Sequence, residues 1–143
     1  MKKLLVLAVV LVLLGSGCAT ISGGGFQTPL PPTLKIVSPS PDVPPQIAAY
    51  SGIWEGTWDI GLNVTIVIEQ ITMDEVIAIY SNGSLPNRGI REGWTFVIGH
   101  VQNDSIVLQL RAAKVTLKMS GKNVKAEYRT VSSVVYAILG RKN

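Results

Sequence analysis

The sequence is poor in the residues that carry most enzyme chemistry. Its 143 residues include one cysteine, Cys18, and one histidine, His100. A lone cysteine excludes an internal disulfide, so the fold must be held by packing. There is no Cys pair, no His pair and no Asp-x-Asp-x-Asp-Gly loop, so no metal site can be drawn from the spacing. No serine sits in a Gly-x-Ser-x-Gly elbow. Acid–base and nucleophilic catalysis need positioned partners of suitable pKa, and none can be assembled from this set. His100, after Gly99 at a strand end, reads as a structural or exposed histidine. Glu55 and Asp59 read as solvated carboxylates on the polar face of one strand. The expectation is a protein that is not an enzyme and uses no cofactor. Proline is also scarce where it would hurt: beyond Pro45 only Pro86 remains.

What is present begins with the order of residues 1–18. Lys2 and Lys3 are followed by an unbroken apolar run from Leu4 to Leu14, then by Gly15-Ser16-Gly17 and Cys18. A positive start, an apolar stretch and a small-residue exit define a secretory signal over residues 1–17. As a helix, the apolar run would rise about 16 Å, too short for a hydrocarbon core that needs roughly twenty residues. Leu14-Gly15-Ser16-Gly17-Cys18 resembles the bacterial lipobox, whose cysteine takes a diacylglycerol and becomes the first residue of the mature chain. That resemblance implies lipidation at Cys18 and a cell-envelope location, anchored to a membrane by acyl chains such as palmitate. Ala19 resembles the sorting signal for the outer membrane, which implies a periplasm-facing position in a Gram-negative cell.

Residues 18–46 carry seven of the eight prolines and the run Gly23-Gly24-Gly25, and are expected to form a disordered tether. Within it, Leu34-Lys35-Ile36-Val37 is apolar enough to add as an edge strand. Residues 47–143 form one domain with room for a modest core. The formal charge of +4 includes Lys2 and Lys3, leaving about +2 after them, which supports no nucleic-acid role.

This domain alternates with period two almost throughout. The runs are 54–60, 64–69, 76–80, 94–100, 106–111, 115–119, 124–129 and 134–139, linked mostly by short turns such as Asn103-Asp104 and Gly121-Lys122-Asn123. Short links make sequential strands antiparallel neighbours. The pattern predicts an all-β, eight-stranded antiparallel up-and-down meander barrel, with a two-sheet β-sandwich as the alternative. The first strand contains Gly-x-Trp twice, at Gly52-Ile53-Trp54 and Gly56-Thr57-Trp58, and Arg141 lies near the end of the last strand. This resembles the calycin superfamily of lipocalins and avidins. There a Gly-x-Trp opens the first strand, and in lipocalins a late basic residue packs across the tryptophan. The resemblance implies an Arg141–Trp54 contact and ligand binding inside the barrel. In size and layout the domain is also similar to compact lipoproteins that inhibit proteases or lysozyme.

Three groups of residues are candidates for binding. Trp54, Trp58, Tyr80, Phe96 and Tyr136 are expected to face a small apolar ligand or envelope lipid. The long connector 84–93 brings Asn87, Arg88 and Arg91 to a rim beside Trp94. Lys118, Lys125 and Arg129 form a basic face suited to anionic lipid or an acidic partner. Two readings follow: a filled barrel acting through its surface on a protein partner, as an inhibitor or assembly factor, or a lipocalin-like barrel holding an apolar ligand. Roughly four inward residues per strand would fill so small a barrel, which favours the first. A lumen above roughly 300 Å³ would favour the second.

Overall fold

A computed structural model describes residues 26–143; Cys18 and the signal lie outside them. Eight strands follow in sequence: β1 (Gly52–Trp58), β2 (Asn63–Ile71), β3 (Glu75–Asn82), β4 (Gly93–Gln102), β5 (Ser105–Gln109), β6 (Lys114–Ser120), β7 (Asn123–Arg129) and β8 (Val134–Lys142). Each pairs antiparallel with the next, and β8 returns to β1, closing a barrel in up-and-down order. The β-sandwich is thereby excluded. Asn103 and Asp104, at φ 46° and 61°, make the two-residue β4–β5 turn, where both central positions need left-handed backbone. Closure sets Trp54 opposite Arg141 and Trp58 opposite Ala137.

Alternation sorts the side chains. Trp54 and Trp58 of β1, Val64, Ile66 and Ile68 of β2, Ile106 and Leu108 of β5 and Leu117 of β6 form one interior cluster with Val124 and Leu139. Two inward positions must be glycine because their neighbours occupy the space. A Cβ on Gly56 would lie 2.7 Å from Leu139 Cδ2, and one on Gly99 would lie 2.7 Å from Leu108 Cδ2.

The two ends differ. At one end a single helical turn, α1 (Pro45–Ala48), puts Val43, Ile47 and Tyr50 into the core like a plug. The Tyr50 hydroxyl donates to Asp104 O at 2.8 Å and accepts from Met119 N at 2.8 Å, tying the plug to the β4–β5 turn and to the end of β6. Trp54 Nε1 donates to Tyr50 O at 2.8 Å, and Arg141 Cζ lies 4.3 Å over the Trp54 ring. The Arg141 guanidinium also donates to Ser51 O and Ala49 O, at 2.7 and 2.5 Å. Charge, planar fork and ring contact fasten the end of the chain to the plug.

The described part of the expected tether, residues 26–46, differs from a free linker: residues 28–37 lie along the outside of β2 and β3 as a strap, and Val43 to Gln46 belong to the plug. Thr65, Val67 and Glu69 of β2 and Ile79 and Ser81 of β3 point outward, yet all are buried. Proline has no N–H to donate, so the strap is held at a few points only. Thr28 Oγ1 meets Thr65 Oγ1 at 2.6 Å, and Ser81 Oγ donates to Pro29 O. Lys35 N donates to Glu69 Oε1 at 2.7 Å and Val37 N to Glu69 O at 2.8 Å, at a β2 bulge where the register shifts between Ile68 and Gln70. These two bonds occupy Leu34-Lys35-Ile36-Val37, which forms no strand.

Candidate functional site

The end opposite the plug is open. Trp58, Tyr80 and Tyr128 form an aromatic floor there. Trp58 and Tyr128 meet edge to face, with centroids 5.8 Å apart, and Tyr80 and Tyr128 are 6.1 Å apart. The Trp58 indole N–H donates to the Tyr80 hydroxyl at 3.3 Å. Burial pushes the Tyr80 phenol up to about 12, so it is neutral at physiological pH and available as a hydrogen-bonding group. Above this floor, Ile60, Leu62, Ile90 and Val135 make apolar walls, and Asn82, Arg88 and Ser133 supply the polar groups. The cup has a volume of about 620 Å³.

The connector after β3 shapes one wall. Leu85 and Ile90 exchange backbone bonds at 2.9 and 3.1 Å around a 3₁₀ turn, Pro86–Arg88, which ends on Gly89 at φ 66°. Asn82 Nδ2 donates to Arg91 O at 2.8 Å and holds the base of this loop to β3. The result directs Arg88 and Ile90 to the cup. Among the described residues no carboxylate lies within ion-pair distance of Arg88. A cation over an aromatic floor, with apolar walls, suits an amphipathic small molecule with a polar or anionic end.

The other candidate residues divide as follows. Trp58, Tyr80 and Arg88 share the cup, while Trp54 belongs to the plug end. Phe96 and Tyr136, expected inside, are on the outer face, 60% and 54% exposed. Their parity is set by Gly99, which yields inward space to Leu108, and by Ala137, the small residue opposite Trp58. Tyr128 takes the place expected for Tyr136; the outward Lys125 and Arg129 of β7 imply its inward parity. Asn87, Arg91 and Trp94 do not line the cup, and Trp94 packs edge to face on Phe96 at 5.4 Å outside the barrel. Sequence reasoning misses Ile90; its apolar character between Gly89 and Arg91 is the available signal. Lys118 stands opposite Lys125, and Lys114 opposite Arg129, on one outer face, with Arg129 paired to Glu127 at 2.9 Å. Among the described residues no group of His, Cys, Asp and Glu is arranged to hold a metal ion.

Compared with known proteins, the chain matches no family model, and neither curated proteins nor solved structures give a significant match.

Proposed function

We propose that this protein is a calycin-like envelope lipoprotein that binds a small amphipathic molecule in the open end of its barrel. The observation that carries the reading is the convergence at the open end of an aromatic floor, Trp58, Tyr80 and Tyr128, with apolar walls and a single cation, Arg88. Its apolar walls favour a ring or short acyl chain, and Arg88 favours an anionic end. The order of residues 2–18 supports lipidation at Cys18 and membrane anchoring.

Two dyes of similar size test the cup: phenylnaphthylamine, which is neutral, and anilinonaphthalene sulfonate, which is anionic. At roughly 0.3–0.4 kcal/mol per heavy atom, either should bind with Kd on the order of 10–100 µM. Val135→Trp should block both by filling the cup. Arg88→Gln should weaken the sulfonate about fivefold, the value of one partly exposed charge pair, and leave the neutral dye unchanged. Dye binding that is unaffected by Val135→Trp would end this reading. A second reading, action on a protein partner through the outer surface, is favoured by Tyr136 and Ile138, which stand exposed beside Lys125.

A further inference from the structure

Exposed apolar side chains are spread unevenly round the barrel. Among the described residues, seven of the ten large hydrophobic side chains left exposed lie on the segment 26–37, the β2–β3 turn or β4. Three of them, Trp94, Phe96 and Ile98, stand in a row on the outer face of β4, because Val97 and Gly99 take the inward positions. They are 40%, 60% and 65% exposed, and the spacing of alternate strand residues makes the row about 13 Å long. Opposite them on β3 are Ser81, Ile79 and Ile77; Ser81 and Ile79 lie under the strap, so the row borders the strap directly. Charge is graded along the row. At the rim the connector brings Arg88 and Arg91 against Glu92, and among the described residues neither arginine has an ion-pair partner. At the plug end His100 stands opposite Glu75, with Asp74 beside it. The basic face of β6 and β7 lies three strands further round.

The chain enters the described structure at the same corner. Gln27 O lies 2.9 Å from the Cβ position of Gly83, one residue beyond Asn82, and Asn82 stands opposite Gly93. Only seven residues, Ala19 to Gly25, separate Cys18 from Phe26. We propose that the row Trp94, Phe96 and Ile98 is a membrane-docking face that rests on the bilayer anchoring Cys18 and tilts the barrel onto the rim end of its β3–β4 flank. This docking presupposes the lipid on Cys18. An anchor attached at that corner holds the row, and not the basic face, nearest the headgroups. Tryptophan and phenylalanine suit that layer, since their apolar rings enter it and the indole N–H stays hydrated. Arg91 beside Trp94 faces the phosphates, while Glu75 and Asp74 keep the plug end clear of them. Three partly exposed side chains hold a bilayer more weakly than the ~10⁴ M⁻¹ of one myristoyl chain. A short connection to the anchor supplies an effective concentration on the order of millimolar, so weak docking is enough to favour one orientation.

The chain from Cys18 onward contains every described residue and a single thiol, which can be coupled to phosphatidylcholine vesicles bearing a maleimide headgroup. Attachment is then fixed, whatever a cell does at Cys18. Trp94 is the reporter, since Trp54 and Trp58 are each 1% exposed. With bromine on the acyl chains as a short-range quencher, the coupled chain should lose roughly a third of its tryptophan emission, the share of one indole in three. Trp94→Phe should remove that loss. Phe96→Glu with Ile98→Glu should restore most of the emission and leave the urea midpoint within about 0.3 M of the wild type, because both side chains lie outside the barrel. Lys118→Glu with Lys125→Glu should leave the quenching unchanged, as should about 1 M salt. Wild-type emission unaffected by brominated lipid overturns the docking. So does quenching that survives Phe96→Glu with Ile98→Glu, and its loss in Lys118→Glu with Lys125→Glu would seat the basic face on the membrane instead. Mass spectrometry of the host-made protein separates docking from anchoring: an acylated chain whose Trp94 is not quenched keeps the anchor and loses the docking, whereas a chain without acyl groups loses both.

Discussion

Removal of the Trp54 indole tests whether the plugged end is what holds the barrel closed. The ring is 1% exposed, its N–H is bonded to Tyr50 O at 2.8 Å, and the Arg141 guanidinium covers it at 4.3 Å. Truncation to alanine withdraws about 150 Å² of apolar surface from the core, worth about 4 kcal/mol at ~25 cal/mol per Å². It also strips Tyr50 O of its donor, at about 1 kcal/mol, while partial settling of the plug recovers some of the loss. The net cost for Trp54→Ala should be about 3–5 kcal/mol, out of a total that is typically 5–15. In urea unfolding followed by circular dichroism, with a slope of ~2 kcal/mol per molar, the midpoint should fall by about 2 M. Arg141→Ala should cost less in the Trp54→Ala background than in the wild type, because the ring it rests on is gone. A loss below about 1 kcal/mol for Trp54→Ala, or an Arg141→Ala cost identical in both backgrounds, would refute the reasoning.

The phenol of Tyr80 makes stability pH-dependent. Burial is the chief cause that raises its pKa to about 12, from the 10.0 of an unburied tyrosine. The neutral form is thus favoured in the fold, and the contribution is complete below about pH 10 and lost as pH rises to about 12. Two units correspond to roughly 2–3 kcal/mol, so urea midpoints should drop across this window in the wild type and less so in Tyr80→Phe. Gly56→Ala would bring a Cβ within 2.5 Å of Ile138 O and should lower stability by about 1–3 kcal/mol in the same assay. Val67→Ala separates strap from tether: under a packed strap the change should cost about 2 kcal/mol, whereas on a bare outer face it would cost under about 0.5. Lys118→Glu with Lys125→Glu should abolish any salt-sensitive co-sedimentation with anionic vesicles, and wild-type protein that stays in the supernatant at low ionic strength would make that face a plain solvated surface.

Strand count, order and closure are legible because short turns leave an antiparallel meander few alternatives, and because two tryptophans of like parity in β1 mark an inward face. Side-chain direction is harder in β4 and β8. There the bulky residues suggest the interior, but Gly99 and Ala137 take it, because space is decided by Leu108 and Trp58 on neighbouring strands. Such a choice depends on partners that a single strand's alternation does not contain. The proline content of the strap points to a free linker, although β2 carries a counter-signal: Val64-Thr65-Ile66-Val67-Ile68 has apolar residues on both faces, as a strand covered on both sides does. The cup depends on Ile90 and Arg88 being turned over the floor by a 3₁₀ turn, a geometry with no periodic trace in the chain.

The strap also sets a leash length. It starts beside the cup, just after Gln27, whose O lies 2.9 Å from the Cβ position of Gly83, and the chain beyond it continues to the plug at the far end. Of the chain after Cys18, only Ala19 to Gly25 precedes the described residues. At no more than about 3.5 Å per residue, that stretch reaches roughly 25 Å. With a lipid on Cys18, the barrel would hang close to the bilayer by the rim of its open end, mouth nearest the headgroups. A molecule leaving the membrane would then meet the aromatic floor before it met bulk water.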